Sequence, residues 1–303
     1  MAISKKSTFS LPHLDAAPSI ESESSTAVIL PETPSIRIRA SKRWSAIDLH
    51  ELWIHRELLY FLVWRDLKVR YKQTVLGASW VILQPVLTTL VFATFLGNIA
   101  RVPSNGVPYI LFLYSGLLPW IYFSNAVSTS SHSLIASAHM ITKVYFPRSI
   151  VPFAAVLVRL SDFLVASAIL VVLMIYYGQP LKWTILITPL LILHLTLLTL
   201  GLSFWFAALN VKYRDVGTVL PVVMQLWMFA SPVVYPANLV APRWNWAYSL
   251  NPLTGIISAF RSALFGIPLD LRSLLISAAI TIALLVYAAF VFRHMEDQFA
   301  DVV

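Results

Sequence analysis

Ser273 to Phe292 reads SLLISAAITIALLVYAAFVF, twenty residues without one charge, held between Arg272 and Arg293. A helix needs about 20 apolar residues to cross the ~30 Å hydrocarbon core of a bilayer. This stretch therefore argues for a membrane protein, and the pattern recurs. Charge-free windows also cover 73–100, 102–142, 163–181, 183–211 and 216–242. They predict an all-α polytopic fold with six spans, near 80–99, 109–131, 150–177, 184–209, 216–235 and 273–292. Composition agrees: the 303 residues are 58% hydrophobic and 12% charged, with a mean hydropathy of +0.75. Soluble domains run at ~45–50% apolar and ~25% charged residues. A soluble chain of this size lacks the interior to hide so many apolar side chains. There is no cysteine, which excludes thiol chemistry and Cys-ligated metal centres.

An even number of spans puts both termini on one side. Eleven of the 22 Lys and Arg precede residue 73. If the N-terminus is cytoplasmic, sixteen basic residues lie inside, five outside, and Arg159 within a span. Basic loops stay in the cytoplasm, so both termini are expected there. The net charge of +8 then belongs to membrane topology, and nucleic acid is excluded as a partner. Residues 1–45 are rich in Ser, Pro, Ala and Glu without periodicity, and read as a disordered cytoplasmic tail. Lys5 and Lys6 are not followed by an apolar run, so no cleaved signal peptide is expected. Over 46–76, a seven-residue apolar run, Leu58 to Trp64, precedes Arg65, Asp66, Lys68, Arg70 and Lys72. Too short to cross, this segment suits an amphipathic helix lying on the membrane surface among lipid headgroups. The transmembrane domain fills 77–303.

Enzyme chemistry is hard to find. None of the nine glycines precedes a lysine, so the Gly-Lys pair of a Walker A loop is missing. No His-Glu-x-x-His and no Gly-x-Ser-x-Gly occurs, and no metal site or catalytic residue is assigned. His294 and Glu296 read as a solvated end. Only two formal charges fall inside the spans, Arg159 and Asp162. Three apart on one helix, they share a face and can pair. A lone buried acid argues against a proton or sodium carrier, which usually shows more. The second span carries Ser124, Asn125, Ser128, Thr129, Ser131 and His132 at helical spacings. Such a face serves either close helix packing or a polar path.

Residues 236–272 are apolar yet broken by Pro236, Pro242, Pro252, Gly255, Gly266 and Pro268. Their charge-free stretch 244–260 is 17 residues, the lower edge for a crossing. A crossing would make seven spans and place the C-terminus outside. We expect instead two short helices over 237–268 that dip into the outer leaflet and return, breaking near Asn251-Pro252. Irregular backbone at that depth is tolerated only against protein or water.

The run Trp64-Arg65-Asp66-Leu67-Lys68-Val69-Arg70-Tyr71-Lys72-Gln73-Thr74-Val75-Leu76-Gly77, continuing through Trp80 and Gln84-Pro85, resembles the ABC-2 type permeases that export lipid-linked polysaccharides. These include O-antigen, capsule and teichoic acid permeases. Lys143-Val144-Tyr145-Phe146-Pro147-Arg148 and Val211-Lys212-Tyr213-Arg214-Asp215-Val216 also match. So do Ser231-Pro232-Val233-Val234-Tyr235-Pro236, and Asn251-Pro252-Leu253-Thr254 with Arg261. Each motif alone is weak; five in this order over about 50–300 are specific.

The resemblance implies a homodimer in the bacterial inner membrane, served by two ATPase subunits. Those subunits bind ATP and Mg, and this chain carries no cofactor. The cargo is a lipid-linked polysaccharide. A wall teichoic acid, a drug or a small lipid is the alternative within the family, and an ion-coupled carrier or channel the remote one. The surface helix, with Arg65, Asp66 and Arg70, is expected over the ATPase, or serves as a simple anchor. Tyr145 and Phe146 are candidate knobs in an ATPase cleft beside Arg148, or part of an interfacial aromatic belt. Tyr213, Arg214 and Asp215 form the other coupling candidate, or a helix-cap network. Tyr114, Trp120, Tyr122, Asn125 and Trp227 are candidates for the translocation path, because aromatic faces stack on sugars. The segment with Trp244, Trp246, Tyr248, Asn251 and Pro252 is the expected outer gate. Arg261 there either faces a lipid diphosphate or snorkels to headgroups.

Overall fold

The computed structural model describes residues 49–72, 79–180 and 182–296. The tail 1–45 and the Gln73–Gly77 end of the first family motif lie outside the described residues. Every described element is helical. Helix α1 (Leu49–Ile54) leads into α2 (Arg56–Lys72). Helix α3 (Ser79–Phe92) continues as a π-helical segment, Ala93–Ile99. Then follow α4 (Tyr109–Ala136), the single turn α5 (Ala138–Ile141) and α6 (Ile150–Tyr176). A 3-10 segment, Trp183–Ile187, opens α7 (Thr188–Lys212), and α8 (Asp215–Phe229) follows. Helices α9 (Asn245–Ser249), α10 (Pro252–Phe265) and α11 (Leu271–Glu296) complete the chain.

Five segments are long and apolar enough to cross a membrane: Ser79–Gly97, Tyr109–Ala136, Ile150–Tyr176, Trp183–Lys212 and Leu271–Glu296. Each covers an expected span to within a few residues. The fifth span, expected over 216–235, differs. Helix α8 has 15 residues, about 22 Å at 1.5 Å per residue, short of a ~30 Å core. It stops because Pro232 cannot continue the ladder and Ser231 Oγ turns back to Trp227 O at 2.8 Å.

Helix α4 is the axis of the molecule. It packs on α6 and α7 along most of its length, and on α3, α8 and α10. Seventeen of its 28 residues are buried, from Leu111 to Leu134. An apolar helix with no wet face is what such a central position requires. Helix α11 lies against α7 and α10, while α3 and α11 keep most of their surface outside the described bundle. Helix α2 rests on α6.

The segment after α8 contains two helices, α9 and α10, meeting at Asn251-Pro252 as the sequence suggests. Asn251 makes that corner and fills all four of its hydrogen-bonding positions. Its Oδ1 accepts from Leu253 N and from Trp227 Nε1, both at 3.1 Å, and its Nδ2 donates to Ala230 O (3.1 Å) and Ser231 Oγ (2.8 Å). Helix α10 is buried along nearly its whole length. At 14 residues it spans about 21 Å. Gly266, at φ +66°, ends it in the left-handed conformation that side-chain-bearing residues resist. Its last carbonyls are met by Thr184 Oγ1 (Ala263 O, 2.7 Å) and Lys182 Nζ (Phe265 O, 3.3 Å).

Candidate functional site

Three charged groups from two helices meet beside α4. Arg70, in the last turn of α2, is hydrogen-bonded through Nη1 to Asp162 Oδ2 of α6. Tyr71 donates to Asp162 Oδ1 at 3.0 Å. Arg159 reaches Asp162 Oδ2 at 3.4 Å, one helical turn along α6. Its Nε and Nη2 donate to Thr129 Oγ1 of α4 at 3.0 and 2.8 Å. The intramembrane pair thus belongs to a larger cluster, and Asp162 is shared by two guanidinium groups. Burial and the Asp162 carboxylate push the Tyr71 phenol up to about 12, so it stays a donor at neutral pH. The polar face of α4 divides its work: Thr129 binds the α6 arginine, and Ser131 and His132 face α7 and α8.

Two cavities flank this cluster. One, of 610 Å³, lies among α3, α4 and α6 and is mostly apolar, with Arg70, Asn125, Arg159 and Asp162 on its wall. The other, of 710 Å³, lies under α2, with Arg65, Asp66, Arg70, His132 and Ser133 on its wall. Arg65 and Asp66 bond each other at 2.8 Å, exposed on α2.

Around 143–148, Tyr145 is 90% exposed but Phe146 only 5%. Phe146 is therefore no knob: its ring is part of the core. Arg148 is half-buried and tied to the end of α11, its N–H to Glu296 Oε1 at 3.2 Å and its guanidinium to the Glu296 carbonyl. Glu296 is 9% exposed and also bonds Arg293 at 2.5 Å. The reading of Glu296 as a solvated end is corrected, because two arginines from different elements draw it inward. Tyr213, Arg214 and Asp215 are all exposed, and Lys212 Nζ sits 5.3 Å from the Tyr213 ring centre. No side chain of these caps α8. The cap is Asn210, 1% exposed, whose Oδ1 accepts from Gly217 N at 2.9 Å while Nδ2 donates to Ser131 O at 2.9 Å. It joins α4, α7 and α8. Sequence reasoning passed over Asn210, because it lies inside α7 and not at the position before α8 where a capping residue is read.

The aromatic path candidates separate. Tyr114 is 1% exposed, with its hydroxyl on Ala166 O at 2.9 Å. Tyr122 is 3% exposed, with its hydroxyl on Thr196 Oγ1 at 3.2 Å, and Trp120 is 5% exposed. Tyr114 and Trp120 sit inside the bundle, which corrects their assignment to a path. Tyr122 reaches only the wall of the first cavity, beside Asn125. Trp227 is half-buried, edge-on to Phe123 with centroids 5.4 Å apart, and held to Asn251. It lines a groove of 530 Å³ with Tyr235, Trp244, Tyr248, Asn251 and Pro252. Trp244 and Trp246 are 55% and 67% exposed.

Arg261 faces neither solvent nor headgroups. It is 6% exposed. Its guanidinium donates to Pro232 O and Val233 O, both at 2.7 Å, and to Phe112 O at 3.2 Å, and its Cζ lies 3.7 Å from the Phe112 ring centre. Both readings of Arg261 are corrected: three carbonyls and an aromatic face hold it inside. Gly116 makes the space, for a Cβ there would overlap Arg261 Nη2 and Val233 O.

The sequence profile of the ABC-2 type transporter family matches residues 57–265, from the start of α2 to the end of α10. The chain is 31% identical over 256 residues to the O-antigen export system permease protein RfbA of Myxococcus xanthus, covering 84% of this chain and 98% of that protein. It is 30% identical over 248 residues to the O-antigen export system permease protein RfbA of Klebsiella pneumoniae, covering 81% and 95%. It is also 24% identical over 214 residues to the polysialic acid transport protein KpsM of Escherichia coli, covering 66% and 78%. A multi-pass helical membrane protein matching this profile over most of its length, the chain belongs to the ABC-2 type transporter family.

Proposed function

We propose that this chain is the permease subunit of an ATP-driven exporter that moves a lipid-linked polysaccharide of the O-antigen type across the bacterial inner membrane. The observation that carries this reading is the match to an O-antigen export permease along 98% of that protein. Two copies form the pathway, and two separate ATPase subunits supply the energy. Both termini face the cytoplasm, α8 with the turn after it makes the sixth crossing, and α9 and α10 form a re-entrant gate at the outer face. Helix α2, the projecting Tyr145 and the exposed Tyr213–Asp215 corner meet the ATPase. Arg148 acts from behind, fixing the loop that presents Tyr145. Trp244 and Trp246 offer flat faces to sugar at the outer mouth.

The experiment is reconstitution with an ABC ATPase from the same organism. Lipid-linked O-polysaccharide should stimulate hydrolysis and appear in the opposite leaflet. If the assembled complex moves a small lipid or drug but leaves the polymer in place, the cargo reading falls. The similarity to a polysialic acid transport protein makes a capsule polymer the second cargo to test.

A further inference from the structure

The bonds of Arg261 to Pro232 O, Val233 O and Phe112 O use Nη1 and Nη2 alone. Its Nε is buried and meets no partner among the described residues, and two hydroxyls share that condition, Tyr248 Oη and Thr254 Oγ1. Thr254 is 4% exposed. It stands seven residues before Arg261, two turns away on the same face of α10. Helix side chains tilt toward the N-terminus, which brings the arginine head back toward the turn of Thr254. Tyr248, from α9, sets its hydroxyl beside Thr254 and within the field of Arg261. The neighbouring phenols are engaged elsewhere: Tyr235 donates to Phe229 O at 2.8 Å, and Tyr109 to Val234 O at 3.3 Å.

Charge gives the class of ligand. Among the described residues, Arg261 is met by three carbonyls and the Phe112 face, and by no carboxylate. Dipoles and a ring leave its charge without a counter-ion, and a buried charge in that state is costly. Nε can only donate, and both hydroxyls can donate. Three donors around one cation ask for an acceptor with a negative charge. Water would take the bonds but leave the charge. All three atoms are closed off from solvent, so a phosphate or carboxylate tethered to a lipid or polymer cannot reach them. A monatomic anion is what remains.

We infer that each copy of this chain binds one chloride ion among Arg261 Nε, Tyr248 Oη and Thr254 Oγ1. The ion neutralises the guanidinium and ties α9 to α10. Because the same guanidinium holds Pro232 and Val233, the ion also steadies the turn after α8. Rising chloride therefore favours the closed arrangement of this segment by mass action. The inference is independent of the cargo, since no sugar or lipid enters it.

The test uses the full chain carrying Val233→Cys, purified in detergent, with potassium chloride replacing potassium gluconate at constant ionic strength and pH. Thiol labelling should slow saturably, by about tenfold when chloride is about ten times its dissociation constant. Tyr248→Phe and Thr254→Val each remove one hydroxyl with little change of shape. Either should reduce the chloride effect to about twofold or less. On the unmutated protein, the NMR line of chloride should broaden, and added bromide should sharpen it again while gluconate does not. Equal labelling in the two salts would mean that water alone fills the site, and would overturn the inference. So would an equal effect of sulfate, a chloride effect undiminished in both variants, or a chloride line that the protein leaves sharp.

Discussion

Replacing Arg261 by Met should release the segment that joins α8 to α10. Met keeps the apolar stem of the arginine but is shorter, so the guanidinium is lost and the space it filled is left partly empty. Pro232 O and Val233 O each accept from it at 2.7 Å in a place with almost no water. A buried carbonyl deprived of its donor costs about 1–3 kcal/mol. Two of them give roughly 2–6 kcal/mol, and ~3 kcal/mol is a fair working value, the size seen when one member of a buried charged network is removed. At 1.4 kcal/mol per factor of ten, local opening should become about 100-fold more frequent. The chain has no cysteine, so Val233→Cys gives a single reporter at a residue that is 0% exposed. Where closing is fast, the rate of thiol labelling follows the open population. Labelling of Val233→Cys should rise about 100-fold when Arg261→Met is added. Arg261→Lys, with a point charge in place of a planar fork, should fall between. Gly116→Ala, which takes the space of Nη2, should behave like Arg261→Met. An increase under threefold in both Arg261→Met and Gly116→Ala would refute the view that this arginine holds the segment shut.

Asn210→Ala removes the cap of α8 and leaves Gly217 N and Ser131 O without Asn210; the protein should lose roughly 2 kcal/mol or more, seen as a lower midpoint of thermal unfolding in detergent. Tyr145→Ala and Arg214→Glu should cut ATPase stimulation in the assembled complex while leaving membrane insertion intact, and Phe146→Ala should instead reduce yield, since that ring is core. Asn245 and Ile267 are exposed, so cysteines there should both react with an impermeant reagent from outside the cell; reaction of either from the cytoplasmic side alone would show that α9–α10 crosses. Asp270 caps α11 through Ser273 Oγ (2.5 Å) and Ser273 N (3.2 Å), and the Ser273 hydroxyl holds its carboxyl below the usual value. A carboxyl lowered on folding stabilises above its unfolded value near 3.9 and loses that contribution as pH falls through the folded one. The stability gap between wild type and Asp270→Ala, about 1 kcal/mol at neutral pH, should therefore shrink below about pH 4.

Long spans are legible because they rest on a local sum. Twenty apolar residues in a row, as at 273–292, need no knowledge of their neighbours. Helix α8 shows where that sum fails: 216–235 is free of charge throughout, but Pro232 and the demand of Arg261 for two carbonyls end the helix at Phe229. The corner at Asn251-Pro252 was readable because Pro at the first helical position and Asn before it are local signals. Which aromatic faces inward was not. Tyr145 and Phe146 are adjacent and both aromatic, yet one projects and the other is core, and only the packing of 143–148 against α11 decides it. The pairing of Arg159 with Asp162 follows from helical spacing. Arg70 joining them across 92 residues does not, and neither does Arg148 finding Glu296. Long-range partners leave no trace in a single sequence when both are merely charged residues near helix ends.

The clamp between Arg148 and Glu296 has a consequence in time. The two are 148 residues apart. Synthesis at about 5–20 residues per second puts roughly 7–30 s between them. Through that interval α4 and α6 can enter the bilayer and pair, but the loop that carries Tyr145 lacks both the Glu296 carbonyl that takes the Arg148 guanidinium and the carboxylate that takes its backbone N–H. The loop that carries Tyr145 is therefore finished by the last described residue of α11. In the growing chain that loop does not reach its final shape until α11 is in place, so its conformation is set by the order in which the chain is made.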